Sequence, residues 1–150
     1  MREFVFCNEI VRTAMTAIEA NVRFLLLAVL AEIELFAEVP DDAFDAGDPF
    51  VVAMYRDGVP FTPALWVGQS LPPARRMAFS RAARRLADRG LARRVTEARR
   101  DRVRYLVLTP DGLSRAIALA GDKADRTTVR EGLARTRWGR TLARQIGGES

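Results

Sequence analysis

Half of the chain's cationic side chains fall within a fifth of its length. Of 24 Lys+Arg residues, 12 lie between Arg75 and Arg104, against only three acids, Asp88, Glu97 and Asp101, for a local balance of +9. All twelve are arginines. A planar guanidinium presents paired N–H donors that match a phosphate or the edge of a guanine, which the point charge of a lysine does not. The chemistry this segment offers is recognition of a polyanion. Bond-making chemistry has few carriers here. The chain has no histidine, which removes the usual general base at neutral pH and the commonest metal ligand, and its single cysteine excludes an internal disulfide or a thiolate zinc cage. There is no Gly-rich phosphate loop, paired-carboxylate site or internal repeat, so neither an enzyme nor a bound cofactor or metal is expected.

The arginines need elements to hold them, and the punctuation of the sequence supplies these. Pro72 and Pro73 suit a first helical turn, and Gly90 after Asp88-Arg89 is a left-handed stop, which predicts a helix over 73–89. Phe79, Ala82, Ala83 and Leu86 recur at i, i+3, i+4 and i+7 and form its core stripe. The opposite face carries Ala74, Met77, Arg81, Arg84 and Asp88, with Ala78 and Arg85 at its edge. Small side chains near the N-terminal end would let such a helix sink into a major groove, with Arg81 on a base edge and Arg84 or Arg85 on a phosphate. The bland alternative, a solvated basic face serving solubility, does not account for the exclusive use of arginine. After Gly90 the period changes. Leu91 to Val95 and Arg102 to Leu108 read as strands around the tip Thr96–Asp101, from which Arg99 and Arg100 project, and such a hairpin can lay its arginines along a minor groove or backbone. Thr109-Pro110-Asp111-Gly112 then gives a cap, a proline at the first helical position and an acid in the first turn. Helix, strand, tip, strand is the order of a winged helix. Arg75, Arg76, Met77, Ser80, Arg81, Arg84, Arg85, Arg99, Arg100 and Arg102 are the candidate DNA-contacting residues.

The run RRLADRGLARR at 84–94, the arginine-rich tip, and LVLTPDG at 106–112 together resemble the MarR-type winged-helix transcriptional regulators. The resemblance covers about residues 70–115, and it implies a recognition helix, a wing and a following helix that act on operator DNA. It departs from the family at the wing, where an Asp-x-Arg pair is usual. Here the order is Arg100-Asp101-Arg102-Val103-Arg104, so any ion pair that steadies the wing must be set differently. Some peroxide-sensing members keep a reactive cysteine in the first helix. Cys7 follows Phe4, Val5 and Phe6, and nothing beside it in sequence lowers a thiol pKa, so it is expected to be a small hydrophobe in a helix interface. DNA binding should therefore be insensitive to peroxide in both the parent and Cys7→Ser; loss of DNA by the parent alone would make Cys7 a sensor.

The rest of the chain reads as a body for this blade. Residues 1–74 carry 4 basic and 11 acidic side chains, and 105–150 carry 8 and 5. An acidic part behind a basic one implies a single oriented binding face. With 150 residues, 49% of them hydrophobic, one core and one winged-helix domain over 1–150 are expected. Its parts are N-terminal helices over 1–40, the helix-turn-helix and wing over 62–112, and C-terminal helices over 113–150.

In detail, Cys7, Ile10, Val11, Ala14, Met15 and Ile18 predict a helix over 4–18, and Val22, Leu25, Leu26, Val29, Ile33 and Phe36 a second over 20–38. Leu27 and Leu30 widen the apolar surface of the second beyond one stripe, as in a helix packed on more than one side. Phe50 to Tyr55 reads as a short strand, and Thr62-Pro63 opens a short helix over 64–69 that Leu65 and Trp66 pack on the core. Asp125 to Ile146 predicts a further helical stretch, diluted by Gly132 and Gly139. Alone it would be marginal, so it needs a partner surface, within the chain or across a dimer; the alternative is a frayed basic tail. Glu3 and Glu9 at the start, and apolar runs too short to span a bilayer, lead to the expectation of a cytoplasmic protein with no membrane contact.

These readings converge on a mainly α protein with a small β-hairpin wing (a winged helix-turn-helix), with N- and C-terminal helices for dimerisation. The expected function is sequence-specific binding of double-stranded DNA by a homodimeric repressor, with a small-molecule effector left open but not indicated. Two alternatives stand beside it: a winged-helix adaptor docking on an acidic protein partner, and a plasmid or phage replication or partition factor.

Overall fold

The computed structural model describes residues 2–97 and 99–147, and the side chains of 17–97 and 99–146. Its axis is one helix, α1 (Arg2–Ala37), of 36 residues. No glycine or proline occurs between Arg2 and Ala37, so nothing separates the two helices expected over 4–18 and 20–38, and they are continuous. The side chain of Cys7 lies outside the described residues. From Val22 to Phe36 α1 buries Val22, Leu25, Leu26, Val29, Leu30, Ile33 and Phe36. Its C-terminal carbonyls, which a helix leaves without partners, are met by Arg135. That guanidinium donates to Phe36 O and Ala37 O, each at 2.9 Å, and stands 4.6 Å over the Phe44 ring.

Two short helices follow, α2 (Asp41–Asp45) and α3 (Pro49–Arg56). The second replaces the strand expected over Phe50–Tyr55. Asp48 caps it, accepting from the N–H groups of Phe50 and Val51 at 2.9 and 3.3 Å, and Pro49 occupies its first turn. Helical spacing places both Val51 and Met54 in the core, and that burial outweighs the β preference of Val51, Val52 and Tyr55.

Next come β1 (Val59–Pro60), α4 (Pro63–Val67) and α5 (Pro73–Asp88), then the hairpin β2 (Ala92–Thr96) and β3 (Val103–Leu108). The sheet is antiparallel in the order β1-β3-β2, with Val59 opposite Leu106 and Ala92 opposite Leu108. The expected helix over 73–89 and the two strands are thus present within a residue or two of their predicted ends.

The chain closes with α6 (Pro110–Ala120), a 3₁₀ turn (Gly121–Lys123), α7 (Arg126–Ala134) and α8 (Arg140–Gly147). The single stretch expected over 125–146 is therefore two helices. Between them Thr136, fully buried, donates its hydroxyl to Leu133 O at 2.9 Å and accepts the Gly139 N–H at 2.8 Å, which turns the corner. The partner surface this stretch requires lies within the chain. A Cβ on Gly132 would sit 2.0 Å from Ile33 O, so α7 approaches the α1 backbone as only a glycine allows. Trp138 donates its indole N–H to Met54 O at 2.7 Å, and Leu142, Ala143 and Ile146 are buried. Asp125 caps α7, and its carboxyl is held below the ordinary range, chiefly by the Thr128 N–H. Among the described residues no helix is long and apolar enough to cross a membrane.

Candidate functional site

The arginine face of α5 is exposed because the other face is anchored. Phe79 is 2% exposed and its ring centroid lies 5.5 Å from that of Phe24 on α1; Ala82, Ala83 and Leu86 are buried beside it. Burying side chains the size of Phe79 and Leu86 stabilises by about 1.5–3 kcal/mol each. The two alanines keep the helices close. At its C-terminal end α5 is held again, by Arg89, which donates to Glu19 of α1. That bond keeps the Glu19 carboxyl below its usual range, with Arg23 and Arg115 adding positive charge nearby.

With its inner face fixed, α5 turns Met77, Ser80, Arg81 and Arg84 outward, and Met77 is 56% exposed. The tip-side half of the hairpin, Arg94 and Asp101 to Val103, stands across from them. Between the two lie adjoining clefts. The first, about 410 Å³, is lined by Arg76, Met77 and Ser80 of α5, Arg102 and Val103 of the hairpin, and by Phe61, Pro63 and Pro73. The second, about 270 Å³, is lined by Met77, Ser80, Arg81 and Arg84 of α5 with Arg94, Asp101 and Val103. Trp66 of α4 braces the first from behind: it donates to Glu32 Oε1 at 3.1 Å and meets the Phe61 ring edge-on at 5.9 Å. The expected packing role of Trp66 is therefore observed, with an acid of α1 as its partner, whereas Leu65, expected to pack beside it, is 76% exposed.

The geometry divides the ten expected contact residues. Arg76, Met77, Ser80, Arg81, Arg84 and Arg102 come together around the clefts. Arg99 and Arg100 are exposed at the hairpin tip. Arg75 lies elsewhere, its guanidinium 5.6 Å over the Phe79 ring on the flank toward α1. Arg85 is exposed but lines neither cleft.

Arg94 and Asp101 form the part that the sequence reading did not assign. Asp101 pairs with Arg84 of α5 through one oxygen and with Arg94 Nη1 of β2 at 3.2 Å through the other. Arg84, expected to reach a phosphate, is thus already engaged with the hairpin. A further pair, Arg104 of β3 to Glu97 just past β2 at 3.4 Å, ties the two sides of the hairpin. The period of two would have pointed to Arg94, because it shares a strand face with buried Ala92 and so turns toward α5. The Asp101 contact with α5 spans 17 residues and leaves no mark in local sequence.

Five arginines, Arg76, Arg81, Arg84, Arg94 and Arg102, therefore surround two open clefts whose lining contains one carboxylate. No family model, curated protein or solved structure matches the chain. A concentration of guanidinium groups of this kind is electrostatically suited to anionic groups. Among the described residues no group of three or more His, Cys, Asp or Glu is placed to hold a metal ion.

Asp101 gives a first test. If this face takes duplex DNA, Asp101→Asn should release Arg84 and Arg94 toward phosphate, tightening binding to random duplex and steepening its log–log salt dependence by roughly 0.9 for each further phosphate neutralised. The preference for a selected site should fall, because the hairpin loses its tie to α5. Isotherms on selected and random duplexes at several salt concentrations measure both; an unchanged slope with an unchanged preference would show that Asp101 restrains nothing.

Proposed function

We propose that the chain is a winged helix-turn-helix protein that binds duplex DNA as a homodimer and represses transcription by occupying its operator. In this reading α4 and α5 form the helix-turn-helix, α5 reads the major groove and the β2–β3 hairpin is the wing. The observation that carries the reading is the pair of clefts between α5 and the hairpin, with five arginines against the single carboxylate of Asp101. A B-form major groove is about 12 Å wide and admits one helix. Phosphates flanking that groove would run where Arg102 and Arg76 converge, and Arg99 and Arg100 at the exposed tip would extend the contact outward. Exposed Met77, an apolar side chain amid arginines, suits a thymine methyl better than it suits water.

The deciding experiment is selection of bound sequences from random duplex DNA. An enriched inverted repeat, with half-sites about one helical turn or roughly 10 bp apart, is the expected result. Absence of any DNA binding would end this reading and favour docking of the same basic face on an acidic protein.

A further inference from the structure

A third groove, of about 450 Å³, borders the hairpin without touching α5. Its size lies in the range of sites that take one small ligand. One wall is α3, whose Pro49, Phe50 and Ala53 adjoin on a single helical face. The other is the chain from Pro60 to Thr62 with β3, and it is tied in place: Pro60 lies opposite Tyr105, and the Phe61 N–H donates to Arg104 O at 2.8 Å. Three aromatic side chains, Phe50, Phe61 and Tyr105, thus line one groove. Phe50 is 43% exposed and, among the described residues, pairs with no other ring, although the Asp48 cap fixes its backbone at the head of α3. An aromatic side chain held in this way offers a planar base a face on which to stack.

The charged groups of the groove narrow the choice of guest. Arg102 and Arg104 line it with Glu97 as the one carboxylate. Arg102 enters none of the ion pairs found among the described residues. Arg104 and Glu97 meet at 3.4 Å with side chains 55% and 33% exposed, so each keeps hydrogen-bonding capacity for a further partner. Two forks against one carboxylate suit a single phosphate, and the carboxylate, which only accepts, suits sugar hydroxyls. A run of phosphates would meet Glu97, and an uncharged apolar guest would bury the arginines without a partner. A single strand needs successive aromatic and cationic positions along a track, whereas this groove holds one set.

We propose that this groove binds one free nucleoside monophosphate, its base against Phe50 and Tyr105 and its phosphate on Arg102 and Arg104. Arg102 also lines the first cleft between α5 and the hairpin. A phosphate held in the groove therefore draws that guanidinium away from the arginine face, and nucleotide and duplex DNA compete for it. By linkage each weakens the other by the same factor. The effect on DNA rests on the function proposed above, whereas binding of the nucleotide does not.

Isothermal titration calorimetry of the full chain with AMP, GMP, CMP and UMP in turn tests the site. At least one should bind with a Kd of about 10–100 µM. Its nucleoside, which lacks the phosphate, and ribose 5-phosphate, which lacks the base, should each bind about tenfold more weakly or worse. Phe50→Ala and Arg104→Gln should each weaken the nucleotide about tenfold, and because both side chains are exposed their thermal unfolding should stay close to that of the parent. No binding of any of the four at about 1 mM overturns the proposal. So does ribose 5-phosphate binding as tightly as the nucleotide, or an affinity that both variants leave unchanged, since either would place a bare phosphate on the arginine clefts. A ten-nucleotide single strand of thymidylate that binds more tightly than any monophosphate, and loses this in Phe50→Ala, would overturn the assignment to a free nucleotide. Saturating nucleotide should then weaken duplex binding by about threefold to tenfold and flatten its salt slope by roughly 0.9, the share of one phosphate contact. Nucleotide binding by a chain that binds no duplex at all would leave the site standing and the proposed function fallen; duplex binding without nucleotide binding would do the reverse.

Discussion

Gly112→Ala is expected to destabilise the protein by about 3 kcal/mol, at the upper end of what overpacking costs. A Cβ at this position would lie 1.7 Å from Leu91 O and 2.7 Å from the carbonyl carbon of the same residue. Both are backbone atoms, so no rotamer change can give way. The joint is bound on every side. The Thr109 hydroxyl donates to Gly90 O at 2.6 Å and accepts from the Gly112 N–H at 3.0 Å, while the Thr109 N–H donates to Leu91 O at 3.1 Å. One threonine and one glycine thus join the end of α5, the start of β2, the end of β3 and the start of α6. Relief of the clash must pull α6 from the hairpin or shift the hairpin against α5, and the second route opens the arginine clefts. Chemical denaturation measures the loss, and Gly47→Ala is the control. Gly47 has φ of +70° with nothing within 4 Å, so alanine there meets only the left-handed backbone penalty, about 1 kcal/mol. Equal costs at the two positions would mean that the approach of Leu91 relaxes freely.

How much of this was legible depends on the range over which each signal acts. The ends of α5, the hairpin and the Thr109 cap of α6 are written in local residues: Pro73, the Asp88-Arg89-Gly90 stop, and Thr109-Pro110. Asp48-Pro49 carries the same cap-and-proline signal, and the β-branched look of Val51 and Val52 concealed it; α3 is helical because Val51 and Met54 both reach the core. In α1 the error ran the other way, a break being read where no residue makes one. The contacts that place the elements are long-range and have no local signature. Trp66 to Glu32, Trp138 to Met54 O, Gly132 against Ile33 O and Asp101 to Arg84 each join segments distant in sequence. Nothing local in Thr109-Pro110-Asp111-Gly112 says why a glycine must follow the cap, and the approach of Leu91 O is the reason. Within the candidate site the arginine-bearing face of α5 was readable from its 3.6-residue period. The engagement of Arg84 by the hairpin was not.

That engagement sharpens the contrast between reading and holding. Arg81 is exposed on α5, lines the second cleft, and is absent from the ion pairs found among the described residues. Arg84, one turn later, is held by Asp101. If α5 enters a major groove, Arg81 is the fork available for a base edge, and Arg84 serves to set the hairpin. Arg81→Ala should therefore cost about 1–3 kcal/mol on the selected site and relax the preference at one base pair. Arg99 and Arg100 occupy the exposed tip, where on the same premise a cation would meet phosphate and carry no sequence information. Replacing both by alanine should weaken selected and random duplexes nearly alike and flatten the log–log salt slope by roughly 0.9 for each phosphate left without its arginine. The difference follows from what each arginine meets: a base edge presents one pattern of donors and acceptors, whereas every phosphate presents the same charge. Binding isotherms for both variants, on the selected site, on single-base changes of it and on random duplex, separate the roles. Uniform weakening by Arg81→Ala together with an altered base preference in the tip variant would exchange the two assignments, and no effect from either would remove DNA from the account of this face.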